Sequence, residues 1–127
     1  MSTPLRFAHL YTDADGVTQF GQADLPLTPR VFAPPASPFS VSALEPAERC
    51  GFLHLPAGWV GERHPSPMRM WIFVLTGEME FEAGDGEKHR IAPGSALLLE
   101  DTHGSGHLSR VLGNSPTTLA AVQLPEG

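Results

Sequence analysis

Apolar and polar residues alternate in short runs along most of this chain, and nearly every run is closed by glycine, proline or a polar turn. From residue 39 to 124 the segments "FSVSAL", "RCGFLHLPAG", "MRMWIFVLTG", "EMEFEAG", "EKHRIAPG", "SALLLED", "HLSRVLG" and "TTLAAVQL" follow one another. None keeps a helical period over eleven residues. A period of two with turn signals between the runs predicts about eight short strands, packed as an antiparallel sandwich or barrel. Upstream, "FAHLYTD" (7–13) alternates weakly and meets Asp15-Gly16, a strong turn dipeptide, before "VTQF". That order predicts a short hairpin. "LPLTPRVFAPPASPF" (25–39) holds five prolines and cannot be an interior strand. It predicts an extended arm over the surface, anchored by Val31, Phe32 and Phe39.

Two segments carry more detail. In "EMEFE" (78–82) Met79 and Phe81 fall on one side and the three glutamates on the other, so one face meets water. In "MRMWIFVL" Met68, Met70, Ile72 and Val74 share one face, and Arg69, Trp71, Phe73 and Leu75 share the other. Both faces are mostly apolar, which predicts a central strand whose outer face is covered by the arm, a second sheet or another subunit.

The 127 residues fit one domain, with the hairpin and arm over 1–39 and a barrel over 40–124. Thirteen glycines and thirteen prolines, spread along the chain, agree with many turns and no long helices. A net charge of −6 with only eight Lys+Arg argues against nucleic acid or an anionic membrane as partner. No apolar run approaches a membrane span, and the start lacks the order of a signal peptide. The single Cys50 can form no internal disulfide and reads as a small core residue. These features lead to the expectation of a cytoplasmic protein.

The order of motifs resembles the cupin superfamily, in particular its small single-domain bacterial members. The first cupin motif runs G-x5-H-x-H-x3/4-E-x6-G; here Gly58 opens it, His64 stands at the first histidine and Gly77 closes it. The second resembles "PGSALLLEDTHGSGHLSRVLGN", with Pro93-Gly94-Ser95 for the usual Pro-Gly-Asp and His107 at the histidine. The resemblance covers roughly residues 50–124 and implies an all-β, double-stranded β-helix (jelly-roll) barrel, preceded here by the proline-rich arm. It departs from the pattern where the chemistry lies: Ser66 takes the second histidine position and Met70 the glutamate position. Two of four usual ligands are absent, and a thioether suits copper(I) better than the metals cupins hold.

The candidate site therefore centres on His64 and His107, as metal ligands or as catalytic proton carriers. His103, four residues before His107, is the candidate third ligand. Glu62, two residues before His64, would share its face if that segment is extended, and with an acid of the "LED" turn it is the alternative to His103; acids such as Glu100 and Asp101 before a glycine turn are more often turn-formers and hydrogen-bond acceptors. Met68, Met70 and Ile72, with Val74 and Leu98, would form an apolar wall against a bound molecule. Two readings stay open. One is an enzyme of oxygenase or isomerase type that holds a first-row divalent ion (Fe, Mn, Ni or Zn) and acts on a small organic ligand. The other is a metal-free barrel that binds an apolar or aromatic molecule as a sensor, carrier or cofactor-independent isomerase or cyclase. In either case the apolar strip of Trp71, Phe73 and Leu75 predicts a homodimer, through that face or through part of 25–39.

Overall fold

The computed structural model describes residues 3–126, among which there are eleven strands and no helix. Strands β1 (Leu5–Thr12) and β2 (Thr18–Leu25) form the expected N-terminal hairpin. Its turn is held by Asp13, whose Oδ1 accepts the N–H groups of Asp15 and Val17 at 2.9 and 3.0 Å. A short aspartate side chain can close such a turn on its own backbone. Then come β3 (Thr28–Arg30), β4 (Phe39–Val41), β5 (Arg49–Leu55), β6 (Met70–Thr76) and β7 (Met79–Glu82). The series ends with β8 (Lys88–Ile91), β9 (Ala96–Leu99), β10 (Leu108–Val111) and β11 (Thr117–Gln123).

A six-stranded sheet runs β2-β1-β9-β6-β11-β5, and a three-stranded sheet runs β10-β7-β8. Their facing sides interdigitate: Leu10, Ile72, Val74, Leu97, Leu99 and Leu119 from the large sheet meet Met79, Phe81, Ile91 and Val111 from the small one. This is the jelly-roll architecture, in which each sheet buries one face against the other. The pairing is antiparallel except between β1 and β9, where Ala8, His9 and Leu10 run parallel to Leu97, Leu98 and Leu99. Through that pairing the N-terminal hairpin is part of the large sheet.

The outer faces of the two sheets differ. On the small sheet Glu80 lies between Arg110 and Arg90, and Glu82 between Leu108 and Lys88. Arg110 pairs with Glu80 at 2.8 Å, Arg63 with Glu82 at 3.2 Å, and Arg90 with Glu78. On the large sheet one outward row across β6, β11 and β5 is Trp71, Val122 and Cys50, and the next is Phe73, Ala120 and Phe52. Neither row carries a charge.

The segment 25–39 borders this apolar face at Leu25. Its ends pair as the two-stranded β3–β4, Phe32 and Phe39 pack on each other with ring centroids 5.6 Å apart, and Val31 is 64% exposed. The expected anchors touch each other because a proline-rich stretch offers few backbone donors for pairing with the barrel. Residues Ser42 to Glu45 border the strip too, forming a groove of about 330 Å³ with Leu25, Trp71 and Phe73. Phe73 stays 37% exposed, Leu75 48% and Phe52 77%. Cys50 is exposed too, not a core residue, because β5 is the sheet's edge strand. Among the described residues no helix is long and apolar enough to cross a membrane.

Candidate functional site

Between β5 and β6 the chain runs beside β10 and touches it at two isolated bridges, Val60 with Arg110 and His64 with His107. Trp59 and Gly61 share backbone hydrogen bonds with Val111 and Ser109, both at 2.9 Å. His64 and His107 exchange two, at 3.1 and 3.0 Å. The register slips by one residue between the two bridges. The slip decides what His64 does. Val60 is opposite the outward Arg110, and side chains two or four residues further along an unbroken strand would also point outward. One extra residue flips the parity and sets His64 opposite the inward His107, as a bulge does when it re-aims a side chain. His64 lines the chamber from its exposed mouth, whereas Glu62, on the other side of the slip and also exposed, does not line it.

The strands approach closely here because residue 106 is glycine. A Cβ on Gly106 would collide with the carbonyl group of His64 and the nitrogen of Pro65, and its φ of 75° lies in the left-handed region. The two imidazoles sit with ring centroids 5.2 Å apart.

Each ring has one nitrogen tied down. His64 Nδ1 donates to the carbonyl oxygen of Glu62 at 2.9 Å; a carbonyl can only accept, so that nitrogen carries the proton. His107 Nδ1 donates to Asp101 Oδ2 at 2.6 Å. Asp101 is fully buried and His107 is 3% exposed. The backbone carbonyl of Asp101 also accepts from Ser66 N–H at 2.8 Å, which fixes the far end of the irregular segment. In both rings Nε2 is left as a free acceptor.

The rings open on a cavity of about 220 Å³ inside the barrel. Its walls are Leu53 and Leu55 from β5, Met70 and Ile72 from β6, Met79 and Phe81 from β7, with Trp59, Leu99, Leu119 and two serines, Ser66 and Ser109. Of the residues singled out by sequence, His64, His107, Met70 and Ile72 are brought together. Met68 is not: the chain bends before β6 begins at Met70, and Met68 lines a separate cleft with Arg49 and Arg69. Leu98 is also elsewhere, paired with Trp71 on the outer side, and Leu99 takes its expected place. His103 is exposed on the turn before His107, where its carbonyl accepts the Thr12 hydroxyl at 2.9 Å. Glu100 turns outward to His9 and Arg69, at 2.7 and 2.6 Å.

Asp101 is the site residue whose part the sequence pattern understates. Its place after "LLLE" and six residues ahead of His107 shows only that an acid is near, while the buried Nδ1 contact needs the fold. A carboxylate behind a histidine fixes the ring's tautomer and raises the basicity of its other nitrogen, in metal sites and in proton-transfer sites alike. The donor set separates the two. Among the described residues no three His, Cys, Asp or Glu side chains converge on a point that could hold a metal ion. Two imidazoles alone fall short of the three protein ligands that open divalent sites use.

The family model for the cupin domain matches residues 51–122, more than half of the sequence, and the chain belongs to that family. Its barrel is thus a cupin barrel, of the kind that binds small molecules. Among solved structures it is similar to the cupin domain of Cnp3 from Schizosaccharomyces pombe, with 13% identity and a TM-score of 0.50 over 99% of this chain and 86% of that one. It is also similar to protein NMB1881 from Neisseria meningitidis, with 16% identity and a TM-score of 0.46 over 60% of this chain and 72% of that one. The conserved SPY1581 protein of Streptococcus pyogenes gives 21% identity and a TM-score of 0.48, over 68% and 72%. No curated protein matches the chain.

Proposed function

We propose that this cupin binds a small apolar or aromatic molecule in the His64–His107 cavity without a metal, and that His107, backed by Asp101, accepts a proton from it. The observation that carries this reading is a pair of imidazoles, each tied at Nδ1 with Nε2 left free, lining a mostly apolar chamber. A buried imidazole held in one tautomer by a carboxylate is a general base whose cation the same carboxylate stabilises. The proton would pass from the ligand to His107 Nε2, and Asp101 would keep the resulting imidazolium in place. Chemistry of that kind serves an isomerase or cyclase; without turnover the same pocket serves a sensor or carrier. The first-row ion of the other reading would have, among the described residues, only the two imidazoles as ligands here.

The test pairs elemental analysis of untagged protein with calorimetric titration of toluene and indole. Expected are less than about 0.1 metal ion per chain and measurable binding of a ring compound that Leu119→Trp, which fills the chamber, abolishes. Stoichiometric metal lost on substitution of His64 or His107 would overturn the reading.

We also propose that the chain is a homodimer through the charge-free Trp71–Phe73 strip on the outer side of the large sheet. A charge-free aromatic strip beside an ion-paired face on the opposite sheet supports this, since interface cores are depleted in charge and rich in aromatics. Sedimentation equilibrium is expected to give a dimer that Phe73→Glu dissociates. A monomer at high micromolar concentration would refute it.

A further inference from the structure

With no metal between the two rings, a ligand meets the two imidazoles, fixed by the hydrogen bonds they already make, and beside them the Ser109 hydroxyl and the Trp59 indole, which can donate. Glu62 O and Asp101 Oδ2 each hold a proton on an Nδ1, so both Nε2 atoms are acceptors, on rings that line the chamber. A ligand that brings only acceptors, such as a ketone, nitrile or ether, leaves those nitrogens unmatched. A ligand that brings a donor matches them. Charge sets a second term. No lysine or arginine lines the chamber, and the carboxylate of Asp101 stands directly behind His107. Arg63 comes near, but its guanidinium bonds Gly106 O at 3.0 Å and Glu82 at 3.2 Å, toward the outer face. An anion would meet mostly apolar walls with no counter-charge, which is costly.

Size and wall chemistry set the rest. A dry cavity of roughly 150 Å³ takes up benzene, and pockets for larger ligands run to roughly 300–1,000 Å³. At about 220 Å³ this chamber holds one ring with a small substituent. Trp59 and Phe81 offer aromatic faces and edges, and Met70 and Met79 offer thioethers, which favour an aromatic ring over an aliphatic one of equal size.

Resting on the metal-free reading above, we infer that the ligand is a neutral single-ring phenol, its hydroxyl donating to His107 Nε2 with His64 Nε2 as the second acceptor for an adjacent donor. A catechol would use both nitrogens; a phenol uses one.

The experiment is isothermal titration of the full chain with phenol, toluene, benzoate and catechol, supported by saturation-transfer NMR. Phenol and toluene have nearly the same shape, so their ratio isolates the hydroxyl. The expected result is phenol about tenfold tighter than toluene, catechol at least as tight as phenol, and benzoate undetectable, a tenfold ratio corresponding to one net hydrogen bond. His107→Phe is expected to erase the advantage of phenol over toluene. Because His107 is buried and its loss can unfold the protein, the ranking in the unaltered chain is decisive by itself. Toluene binding as well as phenol, or benzoate binding best, would overturn the phenol assignment and leave the apolar chamber standing. Failure of all four rings to bind would overturn the chamber reading and the assignment with it.

Discussion

Replacing Gly106 with alanine tests whether the two histidines depend on a glycine-only contact. Two costs arise. The residue sits at φ 75°, where a side chain costs about 1–2 kcal/mol. The new Cβ also runs into the backbone of His64 and Pro65, atoms that cannot rotate aside. Relief requires the segment 59–66 to shift, and overpacking of this kind costs about 1–3 kcal/mol. Together the loss is about 2–5 kcal/mol, or a fall in Tm on the order of 10 °C for a chain this size. Gly113 supplies the control: it has the same φ of 75°, yet a Cβ there meets nothing within 4 Å. Gly113→Ala should therefore cost only the backbone share, about 1–2 kcal/mol. Urea unfolding of both variants gives the difference, and the His64 and His107 amide resonances report whether the bridge has opened. Equal destabilisation by the two substitutions, with both amide resonances unmoved, would refute the claim that the close approach at Gly106 builds the site.

Leu97→Ala, at a side chain with no exposure in the centre of the large sheet, should cost about 2–5 kcal/mol in chemical unfolding. A much smaller value would mean that the core is not packed as described. Asp13 is held below the usual carboxylate range, first by the Val17 N–H and then by Gln19 and Asp15. A depressed folded pKa stabilises the protein above the unfolded value of about 4 and stops doing so as pH falls through the folded one. Wild type should therefore melt above Asp13→Asn at pH 6, and the gap should close in strong acid. A gap that widens on acidification would contradict the assignment. Glu80→Gln, on the solvated ion-paired face, should shift stability by no more than about 1 kcal/mol, checked by the same melts.

The strands from β5 onward were legible because each is a short alternating run with a turn residue at its end, and local signals of this type need no knowledge of the fold. "EMEFE" even disclosed its inner and outer faces. Non-local pairing left no such trace: β1 joins β9 in parallel from nearly ninety residues away, and nothing in "FAHLYT" announces it. At the site, motif spacing found His64 and His107, but alternation alone would have turned His64 to solvent. The slip that turns it inward is a property of two strands together. Met68 was misplaced for a related reason, since alternation was extended through a bend. Asp101 was seen only as an acid in a turn, because burial and a partner six residues away decide its role. The sequence marked Val31, Phe32 and Phe39 as anchors without naming what they pack on, and the two-stranded pairing brings Phe32 and Phe39 onto each other.

The broken pairing of residues 59–66 with β10 bears on how anything reaches the chamber. A continuous strand gives up its ladder as a unit, whereas a segment held at Val60 and at His64 can let go of one hold and keep the other. Local openings of this type cost less than unfolding the domain. Amides of the segment should exchange with deuterium well before those of Ile72 or Leu97, and the residence time of a guest should follow the same clock. The histidine that faces the guest would then ride on the hatch, so that each opening removes one acceptor from the ligand and loosens it as the way out appears.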